Sequence, residues 1–219
     1  GSVVRILKGL KNRQTDILIG TQMITKGHDF PGITLIGVIC ADLSLNFPDF
    51  RAGERTFQLL AQVAGRSGRG DTPGRVIMQT YNPDHFSIMA AKHQDFQKFY
   101  DQEIFFRKQL TYPPFSRLVQ LKISSPDTTK GGARAQSTGQ WCRDIKKADP
   151  TAFGPVEILG PVEAPLYKLA NRYRWQILLK APRADMINAF VRRLLNDYGS
   201  KIRQGNVRLV VDVVPFLMM

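Results

Sequence analysis

Two consecutive prolines, Pro113 and Pro114, divide this chain of 219 residues into two parts. No helix can continue from one part into the other through these prolines. A proline lacks the backbone N–H that a helix interior needs, so the helical pattern over residues 95–110 must end before "TYPPF". Predicted strands before this break are continuous apolar runs, whereas a strand after it, "RYRWQILLKA", alternates apolar and polar residues. The sequence therefore predicts two domains, residues 3–110 and residues 111–219.

The first part alternates continuous apolar runs with a helical pattern. The runs "DILIGT", "TLIGVICAD" and "GRVIMQT" (residues 16–21, 34–42 and 74–80) are typical of parallel strands that are covered on both faces. Between the last two runs, Phe57, Leu60 and Ala64 recur at helical spacing. We therefore predict an α/β fold with a parallel sheet, in which functional side chains gather where strands end.

The second part shows the order β-α-β-β-α-β of a split βαβ, α+β domain. Its predicted strands are residues 117–125, 155–164, 172–181 and 206–214, and its predicted helices are residues 129–147 and 183–198, the latter closed by Gly199. In "RYRWQILLKA", Trp175 and Ile177 alternate with Arg174 and Gln176. One face of this strand is therefore expected to be buried, with Trp175 in it, and the other to be partly basic.

Charge indicates a polyanionic partner. The net charge is +13, of which residues 109–219 carry +9 and residues 1–108 carry +4. Nucleic acid is the simplest partner for such an excess, and charge that only keeps the protein in solution is the alternative.

No apolar run reaches the roughly 18 residues of a transmembrane helix, so a cytoplasmic protein is expected by default. Cys40 and Cys142 lie in no CxxC pair, and buried free thiols are expected rather than a zinc site.

The segment "QVAGRSGRG" (residues 62–70) carries residues suited to phosphate chemistry. Gln62, Arg66 and Arg69 follow i, i+4, i+7 spacing and would share one side of a helix that continued through Gly65. Guanidinium groups match phosphate oxygens and stabilise the charge that develops in phosphoryl transfer. The alternative is a surface turn with solvated arginines. No GxxxxGK[ST] loop occurs in the chain, so these residues would form only one side of a nucleotide site.

This segment resembles motif VI of the superfamily 2 helicases, QxxGRxGR, and "GTQMITKGHDFPGITLIGVICAD" resembles their motif V. Together with "FPDFRAGERTFQLL", "LTYPPFSRL" and "RYRWQILLKAP", the chain resembles the C-terminal portion of the primosomal replication-restart helicases, from about Thr15 to Pro215. The resemblance implies a partial RecA-like helicase lobe followed by a C-terminal domain that is similar to a small ribosomal protein. It implies a fragment, inactive alone, of an ATP-dependent 3′-to-5′ DNA helicase that remodels stalled forks.

For the nucleotide, the resemblance implies that Arg66 and Arg69 face the triphosphate, with Arg69 as arginine finger. Gln62 would position the γ-phosphate or the attacking water, while Asp29 and Gly27 would approach the nucleotide from motif V. A turn or helix cap is the alternative role for Asp29. ATP and Mg²⁺ would be held mainly by an earlier lobe, and zinc by an upstream module, with no metal bound by this chain.

For DNA, the resemblance implies contacts from motif V and from the second domain. The motif V residues are Thr21, Gln22 and Lys26, near the single strand, although a solvated lysine is the alternative for Lys26. In the second domain, phosphate contacts are expected from the cations Lys168, Arg172 and Arg174, and base stacking from Tyr167. The implied partners are forked and single-stranded DNA, other primosome proteins and single-stranded-DNA-binding protein, in the bacterial cytoplasm at the nucleoid and away from any membrane.

Two other classes of function stay open. Another superfamily 2 translocase would share motif VI, and a non-catalytic nucleic-acid-binding module would share the basic second half. The second alternative gives no reason for the set Gln62, Arg66 and Arg69. Near these residues, "FPDFRAGER" contains Arg51, Glu54 and Arg55, for which a salt-bridged support of the following helix is at least as good an interpretation as a substrate contact.

Overall fold

The computed structural model describes residues 5–6, 8–9, 12, 14–21, 33–65, 74–213 and 215. The chain divides into two compact units, Gly1–Phe105 and Phe106–Met219. This division falls within the helix that precedes the two prolines, whereas the sequence predicts the boundary after residue 110. In the described ranges, no helix is long and apolar enough to cross a membrane.

The first unit contains a two-stranded parallel sheet with a helical crossover. Strand β1 (Leu35–Val38) is followed by a short 3-10 helix (Leu43–Asn46), helix α1 (Ala52–Ala64) and strand β2 (Arg75–Met78). The pairing runs from Leu35 with Arg75 to Val38 with Met78, so the two strands are parallel, as predicted. Helices α2 (Phe86–His93) and α3 (Phe96–Gln109) follow.

The prediction of a strand over residues 16–21 is wrong. This segment has no regular structure, and Ile17 and Ile19 are 77% and 90% exposed. An apolar run becomes a parallel strand only when neighbouring strands take its backbone hydrogen bonds and a core covers its side chains. Among the residues that the structure describes, β1 pairs with β2 alone, so the segment has no strand beside it.

Aromatic side chains of three helices build the core of the first unit. Leu60 of α1 is fully buried, and the rings of Phe57 and Phe99 stack with their centroids 4.3 Å apart. Phe99 is the buried residue of α3, whereas Phe96 and Tyr100 are 63% and 47% exposed. Of these three aromatic side chains of α3, only Phe99 is therefore buried in this core.

Asp42 connects the ends of the two parallel strands. Its buried carboxylate accepts hydrogen bonds from the backbone N–H of Tyr81 (2.9 Å) and from Asn82 Nδ2 (3.1 Å). Burial by itself would raise the pKa of Asp42, but these hydrogen bonds outweigh burial and hold the pKa below its usual value. The ionised carboxylate therefore stabilises this junction.

We expect acid to destabilise the first unit partly through Asp42. Because the folded-state pKa is lowered, the stabilisation is present above the unfolded value of 3.8 and is lost as the pH falls through the folded value. Asp42→Asn has no charge to lose, so its melting temperature should fall less than that of the unmodified chain between about pH 6 and pH 3. Circular dichroism melts would measure this, with the exposed Asp84→Asn as the matched control. Equal drops in all three proteins would contradict the assignment.

The second unit is a four-stranded antiparallel sheet with helices on one face. Strand β3 (Arg117–Ser125) is followed by helices α4 (Thr128–Ala148) and α5 (Pro150–Phe153), strands β4 (Glu157–Leu169) and β5 (Arg172–Ala181), helix α6 (Ala184–Ile202) and strand β6 (Arg208–Val213). The strand order is β4-β5-β3-β6, and every pairing in it is antiparallel. This is the split βαβ order that the sequence predicts.

Helix α6 does not end at Gly199, as the sequence predicted, but continues to Ile202. Gly199 is buried inside the helix, where an added Cβ would lie 3.9 Å from Leu195. The left-handed backbone that follows the helix occurs at Gly205, with φ 69°. A glycine ends a helix where the chain needs such a positive φ, and Gly199 is not that position.

Helices α4 and α6 cover one face of the four-stranded sheet and not the other. On the face covered by α4 and α6, Leu121, Ile123, Ile177 and Phe190 are fully buried, and Trp175 is 7% exposed, as predicted. Successive side chains of a strand point to opposite faces. We therefore call the other face the outer face; it carries Leu118, Gln120, Lys122 and Ser124 of β3, Arg172, Arg174, Gln176, Leu178 and Lys180 of β5, and Arg208, Val210 and Asp212 of β6.

The two cysteines have different surroundings. Cys142 of α4 is buried, and burial raises the pKa of its thiol to about 12. The prediction that Cys40 is also buried is wrong, because this side chain is exposed. Strand β1 ends at Val38 and the backbone of Cys40 is left-handed, with φ 53°, so the chain has already turned away from the strand there.

Candidate functional site

Asp49 holds the start of the helix that leads to the predicted phosphate-binding segment. Its buried carboxylate accepts a hydrogen bond from Arg51 N (2.9 Å) and forms an ion pair with the Arg55 guanidinium (2.9 Å). The Arg51 guanidinium lies 4.4 Å from the centroid of the Phe50 ring. A carboxylate beside a helix N-terminus is also favoured by the helix dipole. Arg55 is therefore part of an internal support for α1, which is one of the two roles that the sequence left open.

Gln62 is exposed in the last turn of α1, the helix that joins the two parallel strands. The helix ends at Ala64, and the N–H of Gly65 donates to the carbonyl of Ala61 at 3.0 Å. Arg66 and Arg69 lie outside the described residues. The convergence of Gln62 with these two arginines therefore stays a prediction.

The predicted motif V residues precede β1. Thr21 is exposed in a segment without regular structure. Gln22, Lys26, Gly27 and Asp29 lie outside the described residues. Their contacts with nucleotide and DNA likewise stay predictions.

In the second unit, the predicted DNA-contacting cations lie on the hairpin formed by β4 and β5. Ala170 and Asn171 form its two-residue turn, and both have positive φ, 50° and 57°, as tight hairpins of this handedness require. Lys168 pairs with Tyr173, and its ammonium lies 5.0 Å from the centroid of the Tyr173 ring. The hairpin thus presents Lys168 beside an aromatic side chain near its tip.

Arg172 is held by hydrogen bonds within the domain. One of its terminal nitrogens donates to the backbone oxygens of Ser124 and Asn206, both at 2.7 Å, and its Nε donates to Ser124 Oγ at 3.2 Å. Burial, and then the positive charge of Arg208, lowers the pKa of Arg172. The guanidinium connects the hairpin to the end of β3 and to the turn before β6. Any phosphate contact of Arg172 would compete with these hydrogen bonds.

Arg174 lies on the outer face, and the strand register places a second arginine near it. Ser124 of β3 pairs with Arg174 of β5 on one side and with Arg208 of β6 on the other. Sequence reasoning missed Arg208. The alternation in β6 shows that Arg208 and Asp212 share a face, but only the sheet order shows which strand lies beside them.

Tyr167 packs against the core of the second unit. Its hydroxyl is hydrogen-bonded to Thr128 Oγ1 at 2.6 Å, and its ring meets Trp175 edge-on with the centroids 5.6 Å apart. These contacts connect the hairpin to the first turn of α4. They give Tyr167 a structural role, so base stacking, which the sequence suggested, would require breaking them.

Comparisons with known proteins agree on one family. A family model described as "Primosomal protein N C-terminal domain" matches residues 108–215. The chain is 38% identical to "Replication restart protein PriA" of Bacillus subtilis (strain 168), over 100% of this chain and 26% of that protein. Proteins of the same name from Synechocystis sp. and Rickettsia conorii are 39% and 43% identical, over 96% and 82% of this chain and 24% and 26% of their own lengths. The chain therefore spans about a quarter of the length of these relatives.

Proposed function

Because the second unit of this chain belongs to the primosomal protein N C-terminal domain family, we propose that the chain acts in replication restart as part of an ATP-dependent DNA helicase. In this proposal the full protein moves 3′ to 5′ along single-stranded DNA and unwinds stalled forks. It works with other primosome proteins and with single-stranded-DNA-binding protein in the bacterial cytoplasm, at the nucleoid. This chain contributes one side of the ATP site and a surface for branched DNA.

The observation that carries the helicase proposal is the position of Gln62, the first residue of "QVAGRSGRG", in the last turn of α1. This helix joins the two parallel strands β1 and β2, so the part of the segment that the structure describes, residues 62–65, belongs to a parallel βαβ unit. Gln62, Arg66 and Arg69 offer an amide and two guanidinium groups, donors that suit the anionic oxygens of a triphosphate. Asp29 and Gly27 would approach the same nucleotide from motif V. Mg²⁺ and most of the ATP would be held by another lobe.

Within that site, the part played by this chain is electrostatic. When ATP is bound, it supplies the γ-phosphoryl group that is transferred to water. Arg69 and Arg66 stabilise the negative charge that develops on the transferred group, and Gln62 orients the γ-phosphate or the attacking water. Thr21, Gln22 and Lys26 contact the single strand and connect its movement to this step.

An exchange of segments tests the proposal. The Bacillus subtilis relative, with its matching segment replaced by this chain, should hydrolyse ATP in a DNA-dependent manner and unwind a forked duplex, with the unexchanged relative as reference. The 219-residue chain alone should hydrolyse no ATP, since positioning and metal binding dominate phosphoryl transfer. A folded exchange protein without ATP hydrolysis, or Arg69-dependent hydrolysis by the chain alone, would contradict it.

A non-catalytic nucleic-acid-binding module is the second candidate. The observation in its favour is that the excess charge, +9 over residues 109–219, lies in the unit without the phosphate-binding segment. The same exchange distinguishes the two, because a binding module would keep DNA binding in the exchange protein while ATP hydrolysis was lost.

A further inference from the structure

Two arginines that are far apart in sequence flank one position at an end of the outer face. Ser124 pairs with Arg174 on one side and with Arg208 on the other, so all three residues lie in one row across β5, β3 and β6. Neighbouring strands are about 4.8 Å apart, which places the two arginine backbones about 10 Å from each other. Arginine side chains are long enough for the two guanidinium groups to contact the same phosphate or two successive phosphates across this distance.

The positive charge of Arg208 is not balanced by the acidic residue of its own strand. Arg172 lies in the same region with its guanidinium bound to backbone oxygens, and its pKa is lowered by burial and by the charge of Arg208. Asp212, the acidic residue of β6, already forms an ion pair with Lys122 at 2.8 Å. In the part of the chain that the structure describes, Arg208 makes no ion pair. A bound anion would therefore relieve the repulsion between Arg172 and Arg208.

Exposed apolar side chains border the arginine row. Leu169, which pairs with Arg172 at the hairpin tip, is 54% exposed, and Val210 of β6 is 55% exposed. A surface that combines cations with apolar side chains suits a nucleic acid strand, which presents phosphates beside apolar sugar and base surfaces. It suits a free phosphate ion or a purely acidic peptide less well.

The opposite end of the same face is already occupied by the protein itself. Lys180 is 8% exposed, forms an ion pair with Glu157 at 2.7 Å and donates to the backbone oxygen of Leu110 at 3.0 Å. Its ammonium also lies 5.3 Å from the centroid of the Tyr112 ring. The end of the outer face that can receive a ligand is therefore the one with the arginine row.

We infer that Arg174 and Arg208, on either side of Ser124, form a binding site for the phosphate backbone of DNA; this inference rests on the DNA-binding role proposed above. Arg172 positions the hairpin beside the site. The site reads no base, because guanidinium groups on phosphates carry no sequence information. It adds Arg208 to the DNA surface that the sequence predicted.

The test is the binding of a fluorescently labelled forked DNA to the full 219-residue chain, measured by anisotropy over a range of salt concentrations. Arg174→Gln with Arg208→Gln should weaken binding about tenfold or more and reduce the slope of log K against log salt by about 2. The loss should be equal on forks of different sequence. Circular dichroism confirms that the variant is folded. The matched control is Lys147→Gln with Arg192→Gln, which removes two exposed positive charges from α4 and α6, on the other side of the sheet.

The possible outcomes separate this inference from the proposed function. If the unmodified chain binds the fork but the arginine-row variant behaves like the helix control, the inference is overturned and the DNA-binding role stands. If the unmodified chain binds no DNA, the DNA-binding part of the proposed function fails, and the inference with it. A variant that loses binding to a labelled polyglutamate peptide while its DNA binding matches the control identifies an acidic protein as the ligand, which also overturns the inference.

Discussion

Replacement of Gly131 by alanine is expected to destabilise the second unit by about 3 kcal/mol or more, at the upper end of the range for overpacked cores. A Cβ at this position of α4 would lie 2.3 Å and 2.6 Å from two ring atoms of Trp175, and 2.8 Å from Ser125 Cβ. Trp175 belongs to the buried core, where close packing leaves the ring no space to move into. Urea unfolding followed by circular dichroism would measure the loss.

The neighbouring glycine of the same helix is the matched control. A Cβ at Gly132 would lie 3.7 Å from the nearest atom of the Trp175 ring, which is an ordinary contact. Alanine is favoured over glycine in a helix by roughly 0.8–1 kcal/mol, so Gly132→Ala should be as stable as the unmodified chain or slightly more stable. If both variants lost a similar free energy of unfolding, a clash with the Trp175 ring would not be the reason for a glycine at position 131.

Arg69→Ala in the exchange protein is expected to lower the rate of DNA-dependent ATP hydrolysis by about 10³-fold or more, as the loss of an arginine finger does in related phosphoryl transfers. The reason is that, in the proposed role, the Arg69 guanidinium stabilises charge that develops in the transition state. Lysine should restore little of the rate, since an ammonium does not reproduce the planar fork of donors. Steady-state hydrolysis at saturating DNA would measure kcat.

The control for this variant is Arg75→Ala, which removes one exposed charge from β2 of the same unit. Its ATP hydrolysis should stay close to that of the unmodified exchange protein. Binding of forked DNA should be the same in both variants, so that a lower rate reflects the chemical step. Unchanged hydrolysis in Arg69→Ala would remove Arg69 from the catalytic role and leave "QVAGRSGRG" without its proposed chemistry.

The second unit was predictable because its periodic patterns are strong and local. The predicted bounds of β3 and β5 agree with the structure, and Trp175 lies in the core, since the alternation of apolar and polar side chains is visible along each strand. The end of α6 was predicted wrongly because glycine also occurs inside helices, as Gly199 does, while the positive φ that follows this helix occurs later, at Gly205.

The first unit was less predictable because a parallel sheet depends on neighbours. The run at residues 16–21 has the composition of a buried strand, yet Ile17 and Ile19 are exposed. Cys40 lies in another apolar run but beyond the last residue of β1. The composition of a segment shows whether it is suited to a buried strand. It does not show whether other strands and helices pack around that segment in the fold.

Local pattern was enough to find the element order of the second unit and the segment "QVAGRSGRG", because periodicity and contiguous motifs are properties of the chain itself. It was not enough to show that Arg172 is bound to Ser124 and Asn206, or that Arg174 and Arg208 flank one residue. These relations come from backbone hydrogen bonds that align β5 and β6 on the two sides of β3. Such bonds join residues that are distant in sequence, so the order of strands in the folded sheet decides which charges meet.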